Sequence, residues 1–509
     1  MKTIILDGNS LNLEDLIKIG KNRAKVKLSD KAIENVNRAR EVVDKIVREN
    51  RVVYGVTTGF GQFSNVVIDK KDVEELQYNL LRSHAAGVGD YFDKEIARMI
   101  MVLRANVLAK AHSGIAIETL NLLIEMINKD IYPLIPQKGS VGASGDLAPL
   151  AHLGLILIGE GRARFGDFEG SGKEVFEKAG LKPVKLRAKE GLALINGTQV
   201  MTAIGAKALY KAINLVKNSD IAASMTLEAL KGTKKAFDKR IHEKRAYKGQ
   251  KDTAENMRKI LVESEIMESH KDCGKVQDSY TLRCIPQVHG PVRDTINYVK
   301  SMLEIEMNSA TDNPMVFADD EELVSGGNFH GESVAFLMDF LRITIAELGN
   351  ISERRIERLV NPALSELPAF LVKEGGLNSG FMLSHVTAAA LVSENKVLSH
   401  PASVDSIPTS ANKEDHVSMG TIGARKTLEV VENVETIIGI EFLTAAQALE
   451  FLKPLRPAKP LIPVIEKIRE SIPCWDKDRY MADDIDKITE MVRENTLIDE
   501  IEKIIGLLK

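Results

Sequence analysis

Two long segments of this chain contain almost no residue that would interrupt a helix. GESVAFLMDFLRITIAELGNISERRIERLV spans residues 331–360, and TIGARKTLEVVENVETIIGIEFLTAAQALEFL spans 421–452 with two internal glycines. Both are much longer than the average globular helix of about 10–14 residues. Segments of this length predict a bundle of long helices and restrict the chain to a mainly α fold.

The first 200 residues have a different character, with shorter helical patterns separated by glycine-rich loops. VVYGVTTGFGQFSN at 52–65 contains three glycines, and Pro133 and Pro136 end the helical pattern of 71–130. Proline cannot continue a helix and disfavours helical backbone in the residue before it. We therefore predict two domains, a smaller loop-rich N-terminal domain over 1–200 and a long-helix bundle over 201–509.

Composition excludes several classes of protein. With 68 basic and 72 acidic residues, a net charge of −4 and 5% aromatic residues, the chain lacks the features of a nucleic-acid-binding protein. Three cysteines without a CxxC spacing argue against a disulfide framework and a thiolate metal site. The sequence has no run of 18 apolar residues and no apolar signal-peptide core, so we expect a cytoplasmic protein without a membrane partner.

The most unusual segment is KGSVGASGDLAPLAHLG, residues 138–154, which contains four glycines. A phosphate-binding P-loop would need Gly-Lys-Ser/Thr, and no lysine follows Gly145. The strained elbow of serine hydrolases, Gly-x-Ser-x-Gly, fails because Asp146 occupies its last position. A plain flexible turn remains open on these grounds.

A fourth interpretation gives the segment a chemical role. The amide nitrogen of Gly145 can attack the carbonyl carbon of Ala143, after which Ser144 loses its hydroxyl group as water. The product is a five-membered ring with an exocyclic methylidene group. Only small residues permit so sharp a fold of the backbone. The ring would be an electrophile, which no natural side chain supplies.

The sequence resembles the aromatic amino acid ammonia-lyases, which carry 4-methylidene-imidazol-5-one (MIO) on an Ala-Ser-Gly triad. Eight segments carry the resemblance in order along nearly the whole chain, including YGVTTGFGQFS, GSVGASGDLAPLAHL, VQDSYTLRCIPQVHG and NSATDNPMVF. The resemblance implies that MIO forms from Ala143, Ser144 and Gly145 without an added cofactor. It also implies a homotetramer, because the corresponding site residues lie on at least six loops between long helices.

Further roles follow from the resemblance, one residue at a time. Tyr54 corresponds to the tyrosine that removes the β-proton, and Arg283 to a guanidinium that grips the substrate carboxylate. Apart from the resemblance, Tyr54 could be a packed tyrosine and Arg283 a surface ion pair. The remaining matches are the catalytic Tyr280 and three substrate-binding residues, Asn196, Gln277 and Phe329. The spacing of 277, 280 and 283 places these three residues near one face if the stretch is helical.

Specificity is indicated by residues 83–84 and 414. Ser83-His84 is the pair expected of histidine-specific members, and Glu414 can hold an imidazole N–H, whereas a buried carboxylate is a poor neighbour for a phenyl ring. Met382 is expected in the same pocket. Lys413 departs from the family pattern, where we expect Gln. The expected reaction is deamination of L-histidine to trans-urocanate and ammonia.

The alternatives to this reaction are another ammonia-lyase, an aminomutase and a protein without catalytic activity. A tyrosine or phenylalanine ammonia-lyase, or an aminomutase on the same scaffold, is disfavoured by His84 and Glu414. A catalytically silent helical scaffold is disfavoured by the intact triad with Tyr54 and Arg283. We expect no metal, because the ten histidines include no HExxH motif, and His330 and His416 near the site have no third ligand at a recognisable spacing.

Overall fold

The computed structural model describes residues 2–509, and over that range the predicted mainly α fold is confirmed. The N-terminal helices are of short to medium length: α1 (Leu13–Gly20), α2 (Asp30–Arg48), α3 (Val73–His84), α4 (Lys94–Ala109), α5 (Ile117–Lys129), α6 (Leu147–Leu157), α7 (Gly172–Ala179) and α8 (Glu190–Ile195). Within residues 2–509, no helix is both long and apolar enough to cross a membrane.

Four helices of more than twenty residues follow: α9 (Gln199–Ala229), α14 (Ile285–Met307), α15 (Glu332–Val360) and α18 (Gly420–Glu450). At a rise of about 1.5 Å per residue, the 31 residues of α9 extend roughly 46 Å. The shorter helices of this part are α10 (Lys239–Glu243), α11 (Lys248–Ile260), α12 (Glu265–Ser269), α13 (Tyr280–Arg283), α16 (Pro362–Ser365), α17 (Met382–Leu398), α19 (Ile462–Ser471), α20 (Met481–Arg493) and α21 (Thr496–Ile505). Single 3₁₀ turns occur at Gly61–Phe63, Lys234–Phe237, Ala369–Leu371, Ser410–Asn412 and Lys459–Leu461.

The strands are short and form four small sheets. They are β1 (Lys2–Leu6), β2 (Ala24–Leu28), β3 (Val88–Tyr91), β4 (Ile131–Pro133), β5 (Pro136–Lys138), β6 (Arg162–Phe165), β7 (Phe168–Ser171), β8 (Met315–Phe317) and β9 (Glu322–Val324). β1 and β2 pair in parallel, with Leu6 opposite Leu28. The pairs β3–β5 and β8–β9 and the sheet β4–β6–β7 are antiparallel. These sheets secure turns between helices and form no continuous layer.

Contacts divide the chain into two compact units. The first unit contains the chain up to Lys207 together with Lys300–Asp339 and Pro401–Arg425, and the second contains Ala208–Val299, Phe340–His400 and Lys426–Lys509. Each of the four long helices therefore contributes residues to both units. The predicted domain boundary at residue 200 stays a prediction, and the contact units are not continuous in sequence: α14 ends in the first unit, whereas α9, α15 and α18 end in the second.

The core of the first unit is built around α4. Every residue from Ile96 to Ala109 is buried, including Arg98, Arg104 and Asn106. Asp93 begins this helix, because its side chain accepts a hydrogen bond from the backbone N–H of Ile96 at 2.8 Å. Buried polar side chains usually have hydrogen-bond partners. Arg104 Nη1 donates to the Asn196 carbonyl and to Gln199 Oε1 at the start of α9, whereas its buried Nε and Nη2 have no partner.

In the second unit, buried charged side chains link the four long helices. Asp220 on α9 pairs with His289 on α14 at 2.8 Å, and Arg355 on α15 donates two hydrogen bonds to Glu441 on α18 at 2.6 and 2.8 Å. All four side chains are fully buried. Burial alone would raise the pKa of Asp220, but Arg293 and His289 outweigh it and lower that pKa. The network fixes the axial positions of the helices, since a slip of one turn would leave these charges unpaired.

Candidate active site

The glycine-rich segment forms a tight loop between β5 and α6. Gly142, Ser144 and Gly145 have φ values of +81°, +51° and +76°, in the left-handed region. Ser144 is the member of this group with a side chain, so its backbone is held in a conformation that costs about 1–3 kcal/mol outside glycine. Gly145 N–H donates to the Gly142 carbonyl at 3.2 Å. The loop therefore turns back on itself at the Ala-Ser-Gly triad.

The loop lies directly against a second strained segment, Asn196–Thr198. Gly197 N–H donates to the Ser144 carbonyl at 3.3 Å, and Asp146 N–H donates to the Gly197 carbonyl at 2.7 Å. A Cβ atom on Gly145 would lie 2.1 Å from the Gly197 carbonyl oxygen. Glycine at 145 is thus required both by its positive φ and by the approach of another backbone.

Asp146 anchors the loop to the first turns of two long helices. Its Oδ2 accepts from the backbone N–H groups of Val200 and Met201, both at 2.9 Å, and its Oδ1 accepts from the hydroxyl group of Thr421. Ser140 Oγ is also within 3.3 Å of Oδ1. Complete burial raises the pKa of Asp146 to about 6, although these hydrogen bonds favour the ionised form. One side chain thereby holds the loop, α9 and α18 together.

A carboxylate faces the triad from the other side. Ser144 Oγ donates to Glu414 Oε1 at 3.3 Å, while Glu414 Oε2 accepts from Thr409 Oγ1 at 2.8 Å. Backbone bonds between Thr409 and Glu414 close the surrounding loop. Lys413 is exposed. Within residues 2–509, the hydrogen bond to Glu414 Oε1 comes from Ser144.

The charge of Glu414 affects the pKa values of Tyr54 and His84. Burial raises the pKa of Tyr54, the backbone of Gly61 opposes this shift, and the charge on Glu414 raises the pKa further. Burial lowers the pKa of His84, against the effect of the Leu80 backbone and of Glu414. His84 Nδ1 lies 3.0 Å from Ser83 Oγ. Tyr54, His84 and Glu414 are all half-buried, and the pKa shifts of the first two keep the phenol and the imidazole in their neutral forms.

Asn196 adds an unused hydrogen-bond acceptor. Its Nδ2 donates to the Asn313 carbonyl at 3.2 Å and its backbone carbonyl accepts from Arg104 Nη1 at 2.7 Å, but its buried Oδ1 has no partner. Burial lowers the pKa of Arg104 to about 10. Since a buried acceptor without a donor costs about 1–3 kcal/mol, Asn196 Oδ1 is suited to a donor on a bound molecule.

The chain that carries this strained loop, with Glu414, Tyr54 and Asn196 in the same unit, is similar to known proteins. The family model for aromatic amino acid lyases matches residues 11–470. This chain belongs to the aromatic amino acid lyase family. A histidine ammonia-lyase from Alkaliphilus oremlandii is 54% identical to this lyase over 507 residues, with 100% of each chain covered.

Solved structures agree with the lyase fold. The crystal structure of histidine ammonia-lyase from Trypanosoma cruzi matches with a TM-score of 0.92 and 47% identity, covering 99% of this chain and 95% of that one. Tyrosine aminomutase from Streptomyces globisporus matches with a TM-score of 0.94 and 37% identity over the full length of both chains. The backbone alone therefore does not distinguish among the activities found in this family.

The structure separates the predicted site residues of the lyase into two sets. Those in the first unit are Tyr54, His84, Ala143, Ser144, Gly145, Asn196, Phe329 and Glu414. Those in the second unit are Gln277, Tyr280, Arg283 and Met382. A hydrogen bond joins Ser144 to Glu414, and Tyr54 and His84 lie near enough to Glu414 for its charge to shift their pKa values. Backbone hydrogen bonds join the triad to the Asn196–Thr198 segment. Phe329 is half-buried in the turn before α15.

The second set differs from expectation in one respect. The helix α13 begins at Tyr280, so Gln277 lies in irregular backbone before it, and the condition under which 277, 280 and 283 would share a helical face is not met. Tyr280 is 71% exposed and the Arg283 guanidinium stacks on its ring at 4.5 Å. Met382 is the first residue of α17. The helix α13 is confined to four residues because Ser279 before it has extended backbone and Cys284 after it leaves the helical conformation.

Sequence reasoning missed Asp146 and Glu332. Asp146 directly follows the triad and precedes α6, where an aspartate is expected to cap the helix, but its side chain instead binds the start of α9. Glu332 lies beside His330 and His416, and one possible ligand atom from each falls within 4.8 Å of the others. The expectation of no metal rested on the absence of such a third residue.

Proposed function

We propose that this lyase removes ammonia from L-histidine to give trans-urocanate, using MIO formed from Ala143, Ser144 and Gly145. The observation that carries the proposal is the position of Glu414, whose Oε1 lies 3.3 Å from Ser144 Oγ. A carboxylate at the triad can accept an imidazole N–H, which a phenyl ring cannot offer. The similarity to histidine ammonia-lyases supports the same substrate.

The residues present fit the prosthetic group. Ser144 and Gly145 already have the positive φ values of a tight turn, and the space beside Gly145 is filled by the Gly197 carbonyl. The unpartnered Oδ1 of Asn196 is available to a donor from substrate or ring. When formed, MIO supplies an electrophile that the unmodified chain lacks.

The side chains of the first unit would bind and orient the substrate. Glu414 accepts from one imidazole nitrogen, and His84, with its pKa lowered by burial, helps to orient the ring without adding a positive charge. Tyr54 is the candidate base for the β-proton, yet its raised pKa runs against that role. A substrate N–H bonded to Glu414 offsets part of that carboxylate's charge, which removes one cause of the raised pKa of Tyr54.

The direct test is incubation of the purified chain with L-histidine, following the absorbance of urocanate. We expect product without added cofactor, and mass spectrometry of the peptide containing Ser144 should show the loss of two waters. An active protein whose triad is unmodified would refute MIO. An inactive protein with an intact MIO triad would refute the histidine assignment and favour another member activity.

Specificity is tested at Glu414. A site built to hydrogen-bond its substrate rejects an analogue without those groups by a factor on the order of 10⁴. We expect Glu414→Gln to keep some histidine turnover, since an amide oxygen still accepts, and Glu414→Ala to lose much more. Measurement of kcat/KM for histidine, tyrosine and phenylalanine decides between this assignment and the tyrosine-type alternative. A Glu414→Ala variant that keeps its histidine preference would contradict the assignment.

We further propose a homotetramer whose sites combine residues from different chains. Tyr280 is exposed in the single chain, and so are the apolar side chains of Phe336 and Phe340 on α15 and of Leu383 and Val386 on α17. Exposed apolar side chains of this size are typical of an interface between subunits. Light scattering should give four times the chain mass, and the cytoplasmic location stays a prediction.

Subunit complementation tests the shared site. Ser144→Ala and Arg283→Ala chains should each be inactive. When they are mixed by co-expression, a site that takes these residues from different chains regains activity, up to about a quarter of the wild-type level for random symmetric assembly. No recovery, in mixed tetramers verified by differential tags, would place both residues in one chain's site.

A further inference from the structure

Two histidines and a glutamate lie together beside the site loop without a role in the proposed reaction. One possible ligand atom of His330, Glu332 and His416 lies within 4.8 Å of those of the other two. His416 Nδ1 is 3.3 Å from His330 Nε2, and Glu332 Oε2 is 3.9 Å from His330 Nδ1. The imidazole rings are nearly parallel, with 21° between their planes.

The separation of the two imidazole nitrogens suits two ligands of one ion. With bonds of about 2.0–2.1 Å to a tetrahedral zinc ion, two ligand nitrogens lie about 3.3 Å apart. The same separation suits an N–H···N hydrogen bond between the rings, which is the alternative without metal. Glu332 Oε2 lies nearest the other nitrogen of His330, Nδ1, and one ligand atom from each of the three residues falls within 4.8 Å of the others.

The surroundings of the Glu332 carboxylate favour a bound metal ion over a hydrogen-bonded pair of histidines. Its Oε2 is buried and has no hydrogen-bond partner, although it faces His330. A buried carboxylate oxygen without a donor is costly, and a cation placed between it and the two imidazoles would satisfy it.

We propose that His330, Glu332 and His416 bind a divalent transition-metal ion of the zinc type, outside the catalytic chemistry. Two imidazoles and a carboxylate are a donor set that such ions accept, and they leave a fourth position open to water. This inference is independent of the proposed reaction and replaces the expectation that no metal binds.

The position of the site gives the ion a structural role. Gly331 lies between two of the ligands, and a Cβ there would lie 3.1 Å from Ser418 Oγ. Ser418 Oγ in turn fills the space beside Gly142, and Met419 N–H donates to the Val141 carbonyl at 2.9 Å. A bound ion would join the 330–332 and 416–418 segments, both of which support the triad loop.

The test uses Co²⁺ as a spectroscopic probe on full-length protein dialysed against chelator. We expect saturable binding of one ion per chain, seen as visible absorption bands of low-symmetry Co²⁺. His416→Ala and Glu332→Gln should each weaken binding at least tenfold. Thermal unfolding should shift upward with Co²⁺ in the wild type, and much less in Glu332→Gln, because an ion that binds the folded state stabilises it.

His270→Ala is the matched control. His270 Nδ1 lies 3.9 Å from the Sγ of the exposed Cys273, and these two side chains are of types that bind Co²⁺. We expect this variant to bind Co²⁺ like the wild type. Binding lost in His270→Ala, or retained at wild-type affinity in Glu332→Gln, would overturn the assignment. The absence of saturable binding would identify a hydrogen-bonded histidine pair and leave the proposed lyase activity intact.

Discussion

Replacement of Gly145 by alanine separates two reasons for a glycine in the triad. The first is its φ of +76°, a conformation that costs an L-residue about 1–2 kcal/mol. The second is the Gly197 carbonyl oxygen, which would lie 2.1 Å from the new Cβ. Relief of such an overlap by backbone movement costs about 1–3 kcal/mol more. The expected total loss of stability is therefore about 2–5 kcal/mol.

Gly166 provides a matched control in the same unit. Its φ is +58° and a Cβ there would meet no atom within 4 Å, so Gly166→Ala carries only the conformational cost of about 1–2 kcal/mol. At about 2–4 °C per kcal/mol, the Tm of Gly145→Ala should lie several degrees below that of Gly166→Ala. Circular dichroism melts of both variants and the wild type give this comparison.

The same pair of variants reports on ring formation. Movement of residue 145 away from Gly197 changes the approach of its amide nitrogen to the Ala143 carbonyl. We expect Gly166→Ala to show the loss of two waters in the peptide containing Ser144, and Gly145→Ala to show little of it. Equal Tm values together with complete dehydration in Gly145→Ala would refute the argument that the close backbone approach fixes the loop.

Three further predictions concern single side chains. Ser144→Ala should fold with a Tm near that of the wild type and lose nearly all turnover, and wild-type turnover would refute the triad assignment. Asp146 releases its proton near pH 6 in the folded state and near pH 4 when unfolded, so its contribution to stability falls by about 3 kcal/mol as pH rises through that window. Asp146→Asn should therefore lose less Tm than the wild type between pH 4 and pH 7. Glu441→Gln leaves the buried Arg355 uncompensated and should cost about 3–5 kcal/mol in denaturant unfolding, whereas Glu34→Gln in an exposed pair should cost under about 1 kcal/mol.

The elements that depend on local sequence were predictable. The helix predicted over 331–360 is observed as Glu332–Val360, and the one over 421–452 as Gly420–Glu450. Ser29 caps α2 as its position before the helical pattern indicates, since its Oγ accepts from Ala32 N–H at 3.1 Å. Helical patterns and caps act over a few residues, so a single sequence contains them in full.

The contacts that assemble the site were less accessible. The hydrogen bond from Ser144 to Glu414 joins residues 270 apart, and no local pattern specifies it; the resemblance to the family was the signal that joined them. The anchoring role of Asp146 was missed because its partners Val200 and Thr421 are distant in sequence. A common face of Gln277, Tyr280 and Arg283 required a helix through residue 277, and periodicity cannot show where a four-residue helix begins.

Ser144 and Glu414 are far apart in sequence, so the two sides of the site are synthesised at different times. A ribosome adds about 5–20 residues per second, so roughly 15–50 s pass between the synthesis of Ser144 and that of Glu414, 270 residues later. Val141 and Asp146 also wait for Met419 and Thr421 before their hydrogen bonds can form. The nascent chain thus carries its triad as an ordinary flexible peptide for most of its synthesis. A ring that closes only in the folded loop removes two waters from the peptide containing Ser144. The mass of that peptide would then show whether a molecule has completed its fold.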